Sequence, residues 1–155
     1  MRRESNRRRR MQHGTAAVEF TIVLPVLLMS MVATAEIGRM LSQYNTLNKA
    51  VRDAVRYLAA NALTGTTGVI SITSALQTAT TNLVLTGNTA GTGTALLPNL
   101  NSGNVTVASL ANGYVSVSAT YTYVPILGAT LPTFGLTAPI NVSVPLTASV
   151  VMRPL

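Results

Sequence analysis

Apolar and polar positions along the chain fall into three regimes. From Thr15 to Ala35 apolar residues stand on every side of a projected helix, interrupted by a single carboxylate, Glu19. From Glu36 onward the apolar positions thin to a stripe. Ile37, Met40, Leu41, Tyr44, Leu47, Val51, Ala54, Val55 and Leu58 recur at steps of three and four, and Arg39, Lys49, Arg52, Asp53 and Arg56 fall mostly off that line. This is the period of an amphipathic helix. Gly38 costs about 1 kcal/mol of helix propensity relative to alanine but does not end a helix. No stop signal separates the two regimes, so the pattern predicts one helix from about Thr15 to about Ala62, ended by Asn61 and the Thr64–Gly68 run. Pro25 lies inside it and removes one backbone donor; a bend is expected there rather than a break.

Beyond the helix the period changes. In Val69–Leu85, Ile72, Leu76, Ala79 and Leu83 share a helical face, with Ser71 or Thr73 as the cap, and predict a short helix despite several threonines. Thr86–Gly103 is rich in Gly, Asn and Thr and reads as a loop. The next regime alternates. Val115, Val117, Ala119, Tyr121 and Tyr123 share one face of a strand over Tyr114–Val124, with Ser116, Ser118, Thr120 and Thr122 on the other. Ile140–Met152 alternates equally clearly, and Asn104–Leu110 supplies a third strand. A two-residue Asn112-Gly113 turn would set Val107 against Ser118. A three-residue loop with Gly113 left-handed sets Val107 against Val117 and Val105 against Ala119, so apolar matching selects the latter. Pro145 cannot donate in a ladder, which predicts an edge strand or a bulge there. The connection Pro125–Pro139 is unusually apolar (Ile126, Leu127, Leu131, Phe134, Leu136), and is expected either tucked over the sheet or turned toward a partner or membrane. The fold class is therefore α+β: a long N-terminal helix leading into a short helix and a three-stranded antiparallel sheet. The divisions are a basic leader (1–14), a continuous helix (15–62, with an apolar half over 15–35) and an α+β domain (63–155).

Length turns the apolar half into a functional statement. About twenty helical residues, at 1.5 Å each, span a hydrocarbon core of about 30 Å. The charge distribution orients it. The chain of 155 residues carries a formal net charge of +7. Met1–Gly14 holds Arg2, Arg3 and Arg7–Arg10 against Glu4, a net +5; the remainder holds Arg39, Lys49, Arg52, Arg56 and Arg153 against Glu19, Glu36 and Asp53, a net +2. Arginine clusters can pair with nucleic-acid phosphate. Beside a membrane segment, however, they act as a topological anchor that stays in the cytoplasm, and no nucleic-acid partner is expected. The N-terminus is expected on the cytoplasmic side of the membrane and the C-terminal domain on the opposite side.

Catalytic chemistry finds little to work with. Tyr57–Met152 contains no charged side chain and the chain contains no cysteine. A general base, a metal site or an activated nucleophile needs groups this stretch lacks. The single histidine, His13, sits beside the arginines. No enzyme, metal or cofactor is expected.

One short stretch is more specific. Gly14 is followed by Thr15-Ala16-Ala17-Val18-Glu19-Phe20 and then Val23-Leu24-Pro25. A basic leader, a glycine and a glutamate five residues on resemble the processing motif of type IV prepilins. The fuller pattern, with Glu36-Ile37-Gly38-Arg39 further on, resembles the TadE-like minor pseudopilins of the Tad (Flp) pilus system. The resemblance covers Gly14 to Leu58 and extends loosely through the β-rich tail. It implies a structural assembly protein cut after Gly14 by a prepilin peptidase, with Gly14, Thr15, Glu19 and Phe20 as the processing and assembly residues. The implied partners are that peptidase, Tad assembly proteins, other pilins or pseudopilins, and inner-membrane lipid. Cleavage would leave an α-amine on Thr15, and the Glu19 carboxylate of a neighbouring helix could pair with it. Two alternatives compete: a secreted protein, since Ala33-Thr34-Ala35 matches a small-x-small signal-peptidase site, or a permanently anchored single-pass protein.

Overall fold

The first helix, α1, runs from Arg2 to Asn61 without interruption, through both Gly14 and Pro25. The computed structural model describes residues 2–65, 68–126, 128–131 and 138–155, with side chains from Thr15 onward apart from Leu131. By backbone contacts the chain divides into two compact units, Met1–Arg39 and Met40–Leu155.

Within the second unit, the amphipathic stripe builds the core. Leu47, Val51, Ala54, Val55, Leu58, Ala59 and Ala62 are buried in one cluster with residues of the second helix and the sheet. The upper end of the predicted stripe does not join them. Ile37, Leu41 and Tyr44 are exposed, and Met40 packs only at the margin. Core packing begins at Leu47, so the apolar period runs further along the helix than the surface it covers.

The second helix, α2, spans Ser74–Thr86. Thr73 caps it, accepting a hydrogen bond on its Oγ1 from the Leu76 N–H at 3.2 Å. Its threonines are accommodated by turning their hydroxyls back onto the helix. Thr78, Thr80 and Thr86 donate to the carbonyls of Ser74, Leu76 and Asn82 at 2.9, 2.7 and 3.0 Å. That local bond lets Thr80 be fully buried without an orphaned hydroxyl. Gly87 ends the helix in the left-handed region at φ 78°, its N–H bonding the Leu83 carbonyl at 3.0 Å.

The connection after α2 is more than a linker. Asn82 donates to the Thr89 carbonyl at 3.0 Å, and the Thr92 N–H donates to the Asn88 side chain at 3.1 Å. Leu97 and Leu100 insert into the core. A short 3-10 turn at Ser102–Asn104, capped by Asn101, then feeds the sheet.

Strand β1 is Val105–Leu110 and β2 is Tyr114–Thr122. Their register pairs Val107 with Val117 and Val105 with Ala119, as apolar matching required. Leu110 pairs with Tyr114, which leaves a three-residue loop. Both Asn112 (φ 74°) and Gly113 (φ 77°) are left-handed, so an Asn-Gly turn of the mirror-image type is embedded in the longer loop and Ala111 is the additional residue.

Two strands stand where one alternating run was expected. The short strands β3 (Thr130–Leu131) and β4 (Ile140–Asn141) pair with each other, and β5 covers Pro145–Met152 beside β2. The break has a local cause. Asn141 Oδ1 captures the Ser143 N–H at 2.8 Å, and Pro145 has no N–H to offer. The Tyr123 N–H holds the Val144 carbonyl at 3.0 Å across the gap. The three-stranded sheet has the order β1-β2-β5, so Pro145 begins an edge strand. Val115, Val117, Ala119, Tyr121 and Ala148 point into the core, and Ser116, Ser118 and Thr120 line the other face. Of the apolar connection, Leu127, Phe134 and Leu136 lie outside the described residues; Ile126 is exposed.

Candidate functional site

The residues that the motif suggests for processing and assembly lie on one stretch of α1. Gly14 is within the helix, and Thr15, Glu19 and Phe20 come after it with exposed side chains. Glu19 is four positions after Thr15, so the two share a helix face about 6 Å apart along the axis. The arginine side chains of the leader lie outside the described residues.

Beyond Glu19 the helix presents an apolar surface with nothing over it. Phe20 is 60% exposed, Ile22 70% and Met31 73%, and Val26, Leu27 and Leu28 are exposed as well. These positions do not form a stripe; they surround the helix. The most apolar window of Thr15–Asn61 has none of its residues buried, and the helix is long and apolar enough to cross a membrane. A soluble helix would hide such side chains on one face against its own fold.

The hydroxyls of this apolar stretch make their hydrogen bonds within the helix. Thr21 Oγ1 donates to the Ala17 carbonyl at 2.8 Å, Ser30 Oγ to Val26 at 2.9 Å, and Thr34 Oγ1 to Ser30 at 2.8 Å. Each hydroxyl is satisfied within the helix and asks nothing of the surroundings. A carboxylate cannot be silenced that way, because the helix interior has no spare N–H to give it. Glu19 thus stands apart chemically from every other polar side chain between Thr21 and Ala35. Glu36, at the far end of this run, is only 6% exposed.

Three cavities are described in the second unit. The largest described, about 740 Å³, is an open groove beside Tyr57, Asn61, Ser71 and Thr73. A second, about 530 Å³, lies between Tyr114 and Arg153. Neither is lined by a carboxylate, a histidine or a lysine. Among the described residues no three His, Cys, Asp or Glu side chains come together as metal ligands. A third depression, beside Lys49, escaped the sequence reading because its walls come from α1, α2 and the connection after α2.

Comparison with known families agrees with the motif. Residues 14–56 match the family model described as TadE-like protein, which begins at the glycine of the processing motif and runs through the amphipathic part of α1. At the level of the family this supports a Tad pilus-associated protein. No curated protein and no solved structure matches the chain.

Proposed function

From a TadE-like segment that starts at Gly14, we propose that the chain is a minor pseudopilin of Tad pilus biogenesis. A prepilin peptidase cuts between Gly14 and Thr15, the arginine leader stays in the cytoplasm, and the C-terminal domain is exported. The observation that carries this reading is the uncovered apolar helix bearing one carboxylate five residues after the glycine. The family match supports it, because it covers that helix from the glycine onward.

The mechanism rests on charge in lipid. A carboxylate buried in hydrocarbon costs several kcal/mol unless it is paired or protonated. Cleavage creates an amine on Thr15 with the same problem. A Glu19 carboxylate of one subunit placed on the Thr15 amine of the next removes both costs together and fixes the stagger between adjacent helices. The amine exists only after the cut, so processing and assembly are coupled. The reading assigns no catalytic step to the chain: its work is positional.

Glu19→Gln tests the pairing. It keeps size and polarity and removes the charge. The expected result is a chain that inserts and is cut normally but co-purifies poorly with the pilus apparatus. Recovery equal to that of the unmodified chain would remove the pairing role.

A further inference from the structure

Between Thr46 and Ala62, α1 has one face committed to the core and another that the chain does not use. Lys49, Arg52 and Arg56, with Asp53 among them, succeed one another at steps that place them within one ~100° sector opposite the buried stripe. All four side chains are exposed. Any solvated helix carries charge on its outer face; what distinguishes this one is imbalance. Arg56 Nη1 lies 3.7 Å from Asp53 Oδ1, a pair 71% and 66% exposed and of little consequence for stability. Among the described residues, Lys49 and Arg52 have no carboxylate within salt-bridge distance. A second copy brings only its own Asp53 to this face, already beside Arg56: Glu36 is buried, Glu19 belongs to the apolar run and Glu4 to the leader. Two copies meeting here would set three cations against three with one acid each.

The same face has a shape. A depression of about 280 Å³ lies between α1, α2 and the connection after α2. Ala50, Leu83 and Leu96 contribute apolar walls, and Lys49 and Asp53 also line it. Leu96 is 40% exposed although its backbone is fixed, its N–H donating to the Leu85 carbonyl at 2.8 Å. Gly87 lines the hollow, where an added Cβ would make ordinary contact with Leu96 Cδ2 at 3.7 Å. The volume falls just below the ~300–1,000 Å³ of ordinary small-molecule pockets, so the hollow is too small for most such ligands.

We infer that this face of α1 docks an acidic segment of a different protein in the same membrane assembly. One apolar side chain of that segment enters the hollow beside Leu96, and its carboxylates meet Lys49 and Arg52. The surface chemistry stands on its own; only the identity of the surrounding assembly rests on the pilus reading. Lys49 and Asp53 stand at the rim of the hollow and Arg52 and Arg56 lie further round the helix, so the excess of positive charge belongs to the face as a whole. An apolar anchor beside such a face gives both affinity and partner choice.

The test is photo-crosslinking of the full chain in cells carrying the complete pilus apparatus, with a photoreactive residue at Leu96. The expected adduct is a non-identical protein, linked within about one helical turn of an Asp or Glu. Lys49→Glu combined with Arg52→Glu should lower the yield at least about tenfold, and reversing the partner's acid to lysine should restore it. Near-UV circular dichroism from the buried tyrosines confirms that the charge-reversed chain is folded. A crosslink between two copies, a lipid adduct, no adduct, or a yield indifferent to charge reversal would each overturn the inference. Mass analysis of the N-terminus in the same sample reports cleavage separately, so failure of docking is distinguished from failure of the pilus reading.

Discussion

Leu58→Ala removes a fully buried side chain from the core cluster to which α1, α2 and the sheet all contribute. Leu28→Ala makes the same chemical change on the same helix, at a position 52% exposed. The pair separates core from uncovered surface. A buried leucine truncated to alanine loses its transfer energy and leaves a cavity, about 2–5 kcal/mol in sum. The cluster it belongs to draws on α1, α2 and the sheet, so little collapse is available and the cost falls near the middle of that range, about 3–4 kcal/mol. Leu28 forms no part of the core cluster, and alanine is at least as good a helix former, so its replacement should cost less than about 0.5 kcal/mol in detergent. The assay is urea unfolding of the detergent-solubilised full chain. Tyrosine is the natural reporter, since the chain has no tryptophan and both Tyr121 and Tyr123 are buried. With a slope of roughly 1–2 kcal/mol per molar urea, Leu58→Ala should lower the midpoint by roughly 2–3 M, and Leu28→Ala should leave it within a few tenths. Equal shifts would refute the division of α1 into a core-forming part and an uncovered part.

Three further outcomes rest on the same geometry. Thr73→Ala removes the cap of α2 and should cost about 1 kcal/mol, read as a lower unfolding midpoint with the slope unchanged. Gly113→Val puts a β-branched residue at φ 77° in open space, so strain alone should destabilise the hairpin by about 1–2 kcal/mol in thermal melts. Gly38→Ala meets nothing within 4 Å and should raise helix stability by up to about 1 kcal/mol. A loss of pilus assembly in that variant, despite the stabilisation, would show that a neighbouring helix uses the space.

How much of the fold is legible in the sequence depends on whether the signal is local. The register of β1 on β2 is readable because a one-residue slip would reverse every side chain, and one loop length matches valine to valine. The existence of α2 is readable from spacing, but its start is not: the sequence offers Ser71 and Thr73 alike as caps, and the helix begins at Ser74 with Thr73 as the cap. The end of the amphipathic stripe is not. Ile37 and Leu41 have the right period, but burial depends on where the covering surface stops, which no local pattern records. The break before Pro145 is half visible: proline forbids a central strand, but the capture of the Ser143 N–H by Asn141 emerges only in three dimensions. For the candidate site the order is reversed. Gly14, Thr15, Glu19 and Phe20 announce themselves as a motif. The hollow beside Lys49 and Leu96 is assembled from positions nearly fifty residues apart in sequence and has no sequence signature.

The central claim is that the chain is cut at Gly14 and works as an assembling membrane helix. Intact-mass and N-terminal sequencing of the chain recovered from membranes of cells with an active prepilin peptidase tests this most directly. The account predicts a mature chain beginning at Thr15 with a free amine, and an uncut precursor from Gly14→Leu. A mature chain beginning at Met1 or at Glu36 would contradict it.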